Sequence, residues 1–405
     1  MTNYSYPRYR LNTNLQFYGK FITSLLNPLA YQKKPLAACL QLLSQQFQSE
    51  QILLFPQARI GFYHYLQAVL QKEDQVIISS YTLIDMVNMI LATGAQPVLC
   101  DTAPHKFTPG LTEIKARVTD KTRVLVYTHL YGIVEDLTEI RHFCKQHQIL
   151  LVEDCAQAVG CEDSLGPVGL QADAAVYSFG ALKNIVGLYG GALMLKDSAV
   201  FYAIQKKMLH QPYLPLHRLI EKFLFCIFYE ILSHPVIFSV FFKKISFAFD
   251  EKGHVDKIPK LKKVKPEFSD YAMHPIQAAL ILNQLPFLNT RREKAKFFAK
   301  TYSQLFEKKS NFMPFFSFDP AQVFTYLQYP VYYRGKNKDL KNILIKSKID
   351  VNIDFFQNIS HLEEFKQSYF CPNCEDLIEH LILFPSYSKL SKRFFLKMAK
   401  VLEML

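Results

Sequence analysis

From about residue 51 to residue 200, short apolar runs alternate with stretches of helical periodicity. Ile52–Phe55, Gln75–Ile78, Pro97–Cys100, Arg123–Tyr127, Ile149–Asp154, Ala174–Ser178 and Gly191–Leu195 read as strands. Helices are predicted between them over Ile60–Leu70, Met86–Ala92 and Leu137–Gln146. Strands alternating with helical segments imply βαβ units and a mainly parallel sheet. Runs that are apolar throughout imply a sheet covered on both faces. Several strands end on polar residues: Ser79 and Ser80, His129, Asp154 and Ser178. Open α/β sheets bind ligands beyond the carboxyl ends of their strands, so these ends form the candidate site.

The rest of the chain follows other patterns. Residues 1–50 are mixed helical and polar, with Pro28 and Pro35 as breakers, and read as an N-terminal arm. A large domain is expected over 51–290 and a smaller α+β domain over 291–405. A long helix is predicted from Pro275 to Lys300, broken at Pro286. The chain closes on a basic amphipathic helix, Lys389–Leu405. Residues 205–265 interrupt the α/β alternation as an insertion. Phe223–Phe242 is dense in Phe, Ile, Leu and Val, with Glu230, His234 and Pro235 falling mid-span, and 243–265 carries eight Lys against Asp250, Glu251 and Asp256.

Composition narrows the classes. Of 405 residues, 50% are hydrophobic and 20% charged, which excludes a disordered or collagen-like chain. Eight cysteines at irregular spacing do not make a disulfide framework, and Met1–Arg10 is polar with no secretory pattern. The expectation is a cytoplasmic protein with reduced thiols. Cys371-Pro-Asn-Cys374 has metal spacing but no second pair of ligands, so it reads as two loop cysteines and no metal is expected. The net charge of +12 is concentrated in the insertion. An apolar segment beside a lysine run suits contact with an anionic membrane through about 219–265, against a helical pair packed on the protein's own body or at a dimer interface. No nucleic-acid module accompanies the lysines, and no nucleic-acid partner is expected.

The stretch richest in chemistry runs Glu153-Asp154-Cys155-Ala156-Gln157-Ala158, then Ser178-Phe179-Gly180-Ala181-Leu182-Lys183-Asn184. A carboxylate at one strand end precedes a lysine just past another. Alone, Asp154 reads as a helix cap and Lys183 as a solvated loop lysine; the pair in one sheet changes that weighting. His129 reads equally as a structural or a functional histidine, and Cys155 and Cys161 as small buried hydrophobes.

With Thr128-His129-Leu130-Tyr131-Gly132, Tyr189-Gly190-Gly191-Ala192, Ile276-Gln277-Ala278-Ala279 and Leu377–Pro385, these motifs resemble the DegT/DnrJ/EryC1/StrS family of pyridoxal-phosphate (PLP) sugar aminotransferases. The resemblance implies an aspartate-aminotransferase-like fold (fold type I), a homodimer and PLP as cofactor. It implies amino transfer from an amino acid, glutamate foremost, to a keto sugar, often nucleotide-linked, in surface-glycan or amino-sugar biosynthesis. Lys183 would hold PLP covalently and move protons. Asp154 would keep the ring nitrogen protonated. Gln157 would bond the ring's phenolic oxygen and Ser178 the phosphate. Ala58 and Arg59, opening a helix, would supply further phosphate contacts. Lysine rather than histidine at 183 argues against the family's sugar dehydratases. Three positions depart from the family pattern. Ala58 replaces a glycine, and Leu83 stands where an aromatic ring would stack. Asp270-Tyr271-Ala272 replaces Asn-Tyr-Arg. A non-catalytic or divergent binding protein on the same fold is the alternative.

Overall fold

The computed structural model describes residues 4–241, 261, 264–353 and 356–405. Seven strands form the central sheet: β1 (Ile52–Phe55), β2 (Gln75–Ser79), β3 (Gln96–Cys100), β4 (Thr122–Thr128), β5 (Leu150–Asp154), β6 (Ala174–Ser178) and β7 (Gly191–Leu195). Their spatial order is β1-β7-β6-β5-β4-β2-β3. The β3–β2, β2–β4, β4–β5 and β5–β6 pairs are parallel, and β7 runs antiparallel to both neighbours.

Alternation along these strands divides the core into two layers. Ile78, Leu99, Val124, Val126 and Val152 face one cluster, with Phe62, Leu66, Val87 and Ile90. Ile77, Val98, Leu125, Tyr127 and Leu151 face the other, with Leu137, Ile140 and Phe143. Successive side chains point to opposite faces, so a strand buried on both sides must be apolar at every position. The helices supplying those layers are α1 (Leu15–Leu26), α3 (Ala58–Val69), α4 (Ile84–Ala92) and α5 (Thr138–Gln146), while α2 (Lys34–Phe47) packs Cys39, Leu43 and Phe47 into a further cluster shared with the C-terminal part. Helix α3 starts at Ala58, ahead of the Ile60 expected from periodicity.

The insertion contains α6 (Leu216–Leu232) and α7 (Pro235–Phe241), bent 74° from it, which together cover most of the apolar stretch from Phe223. No single helix among the described residues is long and apolar enough to cross a membrane. Most of the lysine run, 243–260 with 262 and 263, lies outside the described residues. The chain resumes in α8 (Pro275–Gln284) and α9 (Leu288–Phe306), separated by the single turn Leu285–Phe287. Pro286 has no N–H to continue the helical ladder, so the expected break falls there. His274 and Gln277 cap α8 reciprocally: Ile276 N–H donates to His274 Nδ1 at 3.1 Å and His274 N–H to Gln277 Oε1 at 2.9 Å.

The C-terminal sheet is antiparallel, in the order β8 (Phe312–Pro314), β9 (Gln328–Tyr333), β10 (Leu381–Pro385). Tyr302 of α9 stacks on Tyr329 at 4.7 Å and donates to the Pro385 carbonyl at 2.7 Å. Then α10 (Pro372–His380) and α11 (Lys392–Glu403) complete the chain. Cys371 and Cys374 are not loop residues: Cys371 is the N-cap of α10, Cys374 lies inside it, and both are buried. Proline tolerates the first helical position, and Asp101 accepts from the Asn373 and Cys374 N–H groups at 3.0 and 2.9 Å. All eight cysteines are buried and free.

The N-terminal segment crosses to the C-terminal part. Tyr6 bridges to Ile349, and Arg8 clamps the buried Asp350 through Nε at 2.9 Å and Nη2 at 2.8 Å. Removing one partner of a buried pair leaves an uncompensated charge. Arg8→Ala is therefore expected to cost about 3–5 kcal/mol. A lowered urea midpoint for loss of C-terminal structure would register it; an unchanged midpoint would mean that Asp350 is neutralised by other means.

Candidate active site

Three neighbouring strands end side by side. Asp154 closes β5, in register with Thr128 of β4 and Val176 of β6, and Ser178 ends β6 two residues further on. The chain beyond β6 carries Lys183 in a compact loop. Phe179 N–H donates to Gly190 O at 2.9 Å, Gly187 N–H to Phe179 O at 2.7 Å, and Lys183 N–H to Gly180 O at 3.1 Å. Two distant parts pin this loop. Asn12 Nδ2 reaches Lys183 O at 3.5 Å and is itself held by Ser388 Oγ at 2.9 Å. Arg291 of α9 donates to the Asn184 carbonyl.

Lys183 and Asp154 are charge partners. Desolvation pushes the Lys183 ammonium down to about 8, and the Asp154 carboxylate resists that fall. Burial raises Asp154 above the ordinary carboxylate range. The Ala156 N–H at 3.0 Å, Lys183 and His129 oppose that rise. A lysine with a depressed pKa is a better nucleophile and base at neutral pH than a solvated one. A buried carboxylate facing a cation is suited to hold a second cationic nitrogen.

The residues around this pair leave suitable groups open. Gln157 is buried, and its Oε1 accepts from Tyr131 N–H at 2.9 Å, so its amide NH2 remains as a donor. The Tyr131 hydroxyl bonds the Tyr81 hydroxyl at 2.6 Å, and Tyr81 is buried there. Ser178 Oγ accepts from Gly180 N–H at a long 3.4 Å. Leu83 is exposed at the N-cap of α4, with no ring at that position.

The opening turn of α3 lies against β7. A Cβ on Gly191 would sit 2.3 Å from Ala58 Cα and 2.4 Å from its nitrogen, so only glycine permits this approach. Gln57 places no side-chain cap on the helix, and first-turn N–H groups lack intrahelical acceptors. That turn can receive an anion through its backbone. The Arg59 side chain is held instead by Asp85 and by Gln57 Oε1 at 2.7 Å. Asp270 is exposed and paired with Lys265 at 2.5 Å, which offsets its charge.

Glu153, His129 and Arg141 form a support that sequence reading did not join. His129 Nε2 lies 3.0 Å from Glu153 Oε2, Arg141 Nη2 lies 3.1 Å from Oε1, and Gly169 N–H donates to Oε2 at 2.9 Å. Burial works to raise the Glu153 pKa, but His129 and Arg141 outweigh it and hold the carboxyl below the usual range. An ionised Glu153 accepts from Nε2–H, leaving Nδ1 of His129 as a buried nitrogen without a partner. His129 thereby has both a structural bond and an electrostatic hold on Asp154. The cue was an acid at the adjacent position of a buried strand, where alternation sends it to the opposite face. Cys155 lies within ligand reach of His129 and Glu153, but hydrogen bonds already occupy the carboxylate. Asn12 and Arg291 had no local sequence signal at all.

Taken as a test of fit, these groups suit PLP. A depressed lysine amine, a facing carboxylate, a spare amide donor and an uncapped helix start match its aldehyde, ring nitrogen, phenolic oxygen and phosphate in type.

Comparison with known proteins gives the same direction. The DegT/DnrJ/EryC1/StrS aminotransferase family matches residues 63–212 and 244–402. A pleiotropic regulatory protein of Geobacillus stearothermophilus is 36% identical over 122 residues, 30% of this chain and 32% of that protein. A GDP-perosamine synthase of Vibrio cholerae is 31% identical over 127 residues, 31% of this chain and 35% of that protein. The chain thus matches about a third of the length of these relatives. Two solved structures share the fold over nearly the whole chain. Helicobacter pylori PseC, an aminotransferase involved in pseudoaminic acid biosynthesis, superposes with a TM-score of 0.76 at 18% identity, covering 99% of this chain and 98% of that one. The sugar aminotransferase CalS13 of Micromonospora echinospora gives 0.75 at 15% identity, covering 98% and 99%. The central sheet is that of the fold-type I enzymes, and the chain belongs to the DegT/DnrJ/EryC1/StrS aminotransferase family.

Proposed function

We propose that this protein is a PLP-dependent aminotransferase that moves an amino group from an amino acid, glutamate foremost, to a nucleotide-linked keto sugar. The reading includes a homodimer, a large cofactor domain over 51–290 and a small domain over 291–405. It places the protein in the cytoplasm, touching the inner membrane face through residues 219–265. The observation that carries it is the convergence of the Lys183 amine and the Asp154 carboxylate at adjacent strand ends.

PLP supplies an electron sink through which an amino group leaves one carbon and joins another. Lys183 is the residue that holds it and carries a proton to and from the reacting carbon. Asp154 keeps the ring nitrogen cationic, with the Ala156 N–H fixing the carboxylate and the charge of His129 favouring its ionised form. Gln157 donates its free amide to the phenolic oxygen. Ser178 and the backbone at Ala58 and Arg59 receive the phosphate, with Arg59's own side chain committed to Asp85. Leu83 covers the ring by apolar contact alone.

Lys183→Ala is expected to lose the visible absorbance of lysine-bound PLP and at least about 10²–10⁴-fold in turnover, the scale of a positioned acid–base group. Conversion of that absorbance by glutamate in the unaltered protein would support amino transfer. Retained absorbance in the variant would remove Lys183 from its role, and no absorbance with PLP in either protein would favour the binding-protein alternative.

A pH profile tests the pair itself. Only the neutral amine attacks a carbonyl, and Lys183 becomes half neutral near pH 8 rather than at the ordinary value. The rate at which apoprotein captures PLP should rise through about pH 8. Asp154→Asn removes the charge that holds this pKa up, so its inflection should move to lower pH. A shift upward, or none, would separate the two groups.

A further inference from the structure

The two helices of the insertion are apolar on more than the side they bury. Leu219, Phe223 and Cys226 of α6 pack into the core, with Phe223 stacked on Phe21 at 4.0 Å. On the outer side Ile220, Leu224, Phe228 and Ile231 form a second stripe at helical spacing, and Phe225 flanks it; these side chains are 37–61% exposed. Val236, Val240 and Phe241 of α7 are 47–72% exposed. A helix apolar all round is expected to be covered on both faces.

Glu230, His234 and Pro235 made this segment look interrupted in sequence. Glu230 turns inward, where Arg10 and Lys389 each contact its Oε1 at 2.6 Å. His234 and Pro235 occupy the bend between the helices. The outer stripe of α6 is left without a carboxylate from Glu230. Its 17 residues span only about 25 Å. That falls short of a hydrocarbon core of about 30 Å, and the 74° bend turns the chain aside. The geometry suits a helix lying along an interface.

A recess of about 590 Å³ opens at the bend, lined by Arg10, His234, Val236, Lys389, Lys392 and Arg393 among others. Lys392 and Arg393 have no ion-pair partner among the described residues and stand in the first turn of α11, whose N-cap Ser391 makes no side-chain cap. Arg10 Nε is buried without an acceptor. Among the described residues four cations line this recess, two of them, Arg10 and Lys389, paired with Glu230. The exposed Val236 joins this recess to the apolar helices.

We propose that the outer face of α6 and α7 lies at the headgroup–acyl boundary of an anionic phospholipid bilayer, with a lipid phosphate in the recess at Arg10, Lys392 and Arg393. Charge favours this occupant over a second copy. A two-fold pairing uses the same patch on both subunits, so the cations of both copies would be gathered into one interface. An anionic bilayer complements them, and the eight lysines of 243–265 carry the same sign. This deepens the membrane contact of the proposed function and does not rest on the aminotransfer chemistry, because lipid binding is read without cofactor or substrate.

The test is co-sedimentation of the full chain with vesicles of phosphatidylcholine alone and of phosphatidylcholine with phosphatidylglycerol in equal parts. The unaltered protein is expected to pellet with the anionic vesicles at least about tenfold better, and high salt should reduce the difference. Leu224→Asp with Phe228→Asp should abolish pelleting. Lys392→Glu with Arg393→Glu should lose the anionic preference by about fivefold or more per cation removed. Circular dichroism confirms that each variant folds, and the two variant pairs sit on separate elements. Failure of the unaltered protein to pellet with anionic vesicles would overturn the proposal, as would wild-type pelleting by either variant pair. Sedimentation velocity covers the other occupant: an aspartate variant that lowers the oligomeric mass, in a protein that ignores vesicles, would assign this face to a second copy.

Discussion

A carboxylate and an amine held together out of water set the terms for the rest of this molecule. Burial opposes ionisation of both Asp154 and Lys183, and each resists the effect through the other's charge. The pair exists only because β5 and β6 are parallel neighbours whose carboxyl ends coincide. A parallel pair needs a crossover, made here by residues 155–173 with the short ribbon Glu162–Asp163 and Gly166–Pro167, and a sheet covered on both faces needs strands apolar at every position. The composition of the sheet is in this sense a condition for the chemistry at its edge.

The support beneath the pair is as ordered as the pair. Glu153, one residue before Asp154, anchors His129 and Arg141. His129 in turn acts on Asp154 through its charge. A buried network of this kind costs stability unless each member is partnered, and Glu153 meets that condition through three donors. Among the described residues His129 Nδ1 and Arg141 Nε are the exceptions, buried without a partner.

Much of this was legible in the sequence. Continuous apolar runs such as Val76–Ile78 identified β2, and the break at Pro286 followed from a missing donor. Lys183 and Asp154 were nominated through motif order, and the structure couples their charges. Other features were hidden for definable reasons. The role of Cys371 and Cys374 in opening α10 depends on Asp101, some 270 positions away. Arg59 was expected at a phosphate and is held by Asp85, a partner that periodicity cannot reveal. Glu230 read as an interruption of an apolar run because a linear pattern does not show which way a side chain turns.

The anchoring of the first residues has a consequence for synthesis. Tyr6 and Arg8 find their partners at 349 and 350, Tyr9 bonds Gln328, and Asn12 touches the lysine loop only while Ser388 holds it. On the ribosome the amino end emerges first; Arg10 can meet Glu230 once that helix is made, while Tyr6, Arg8 and Asn12 wait for residues 349, 350 and 388. The central sheet can assemble during that interval, but the loop bearing Lys183 gains the Asn12 contact, as Ser388 holds it, only after residue 388 is made. A product broken off before that residue would carry every strand of the large sheet while this loop lacked one of its two distant restraints.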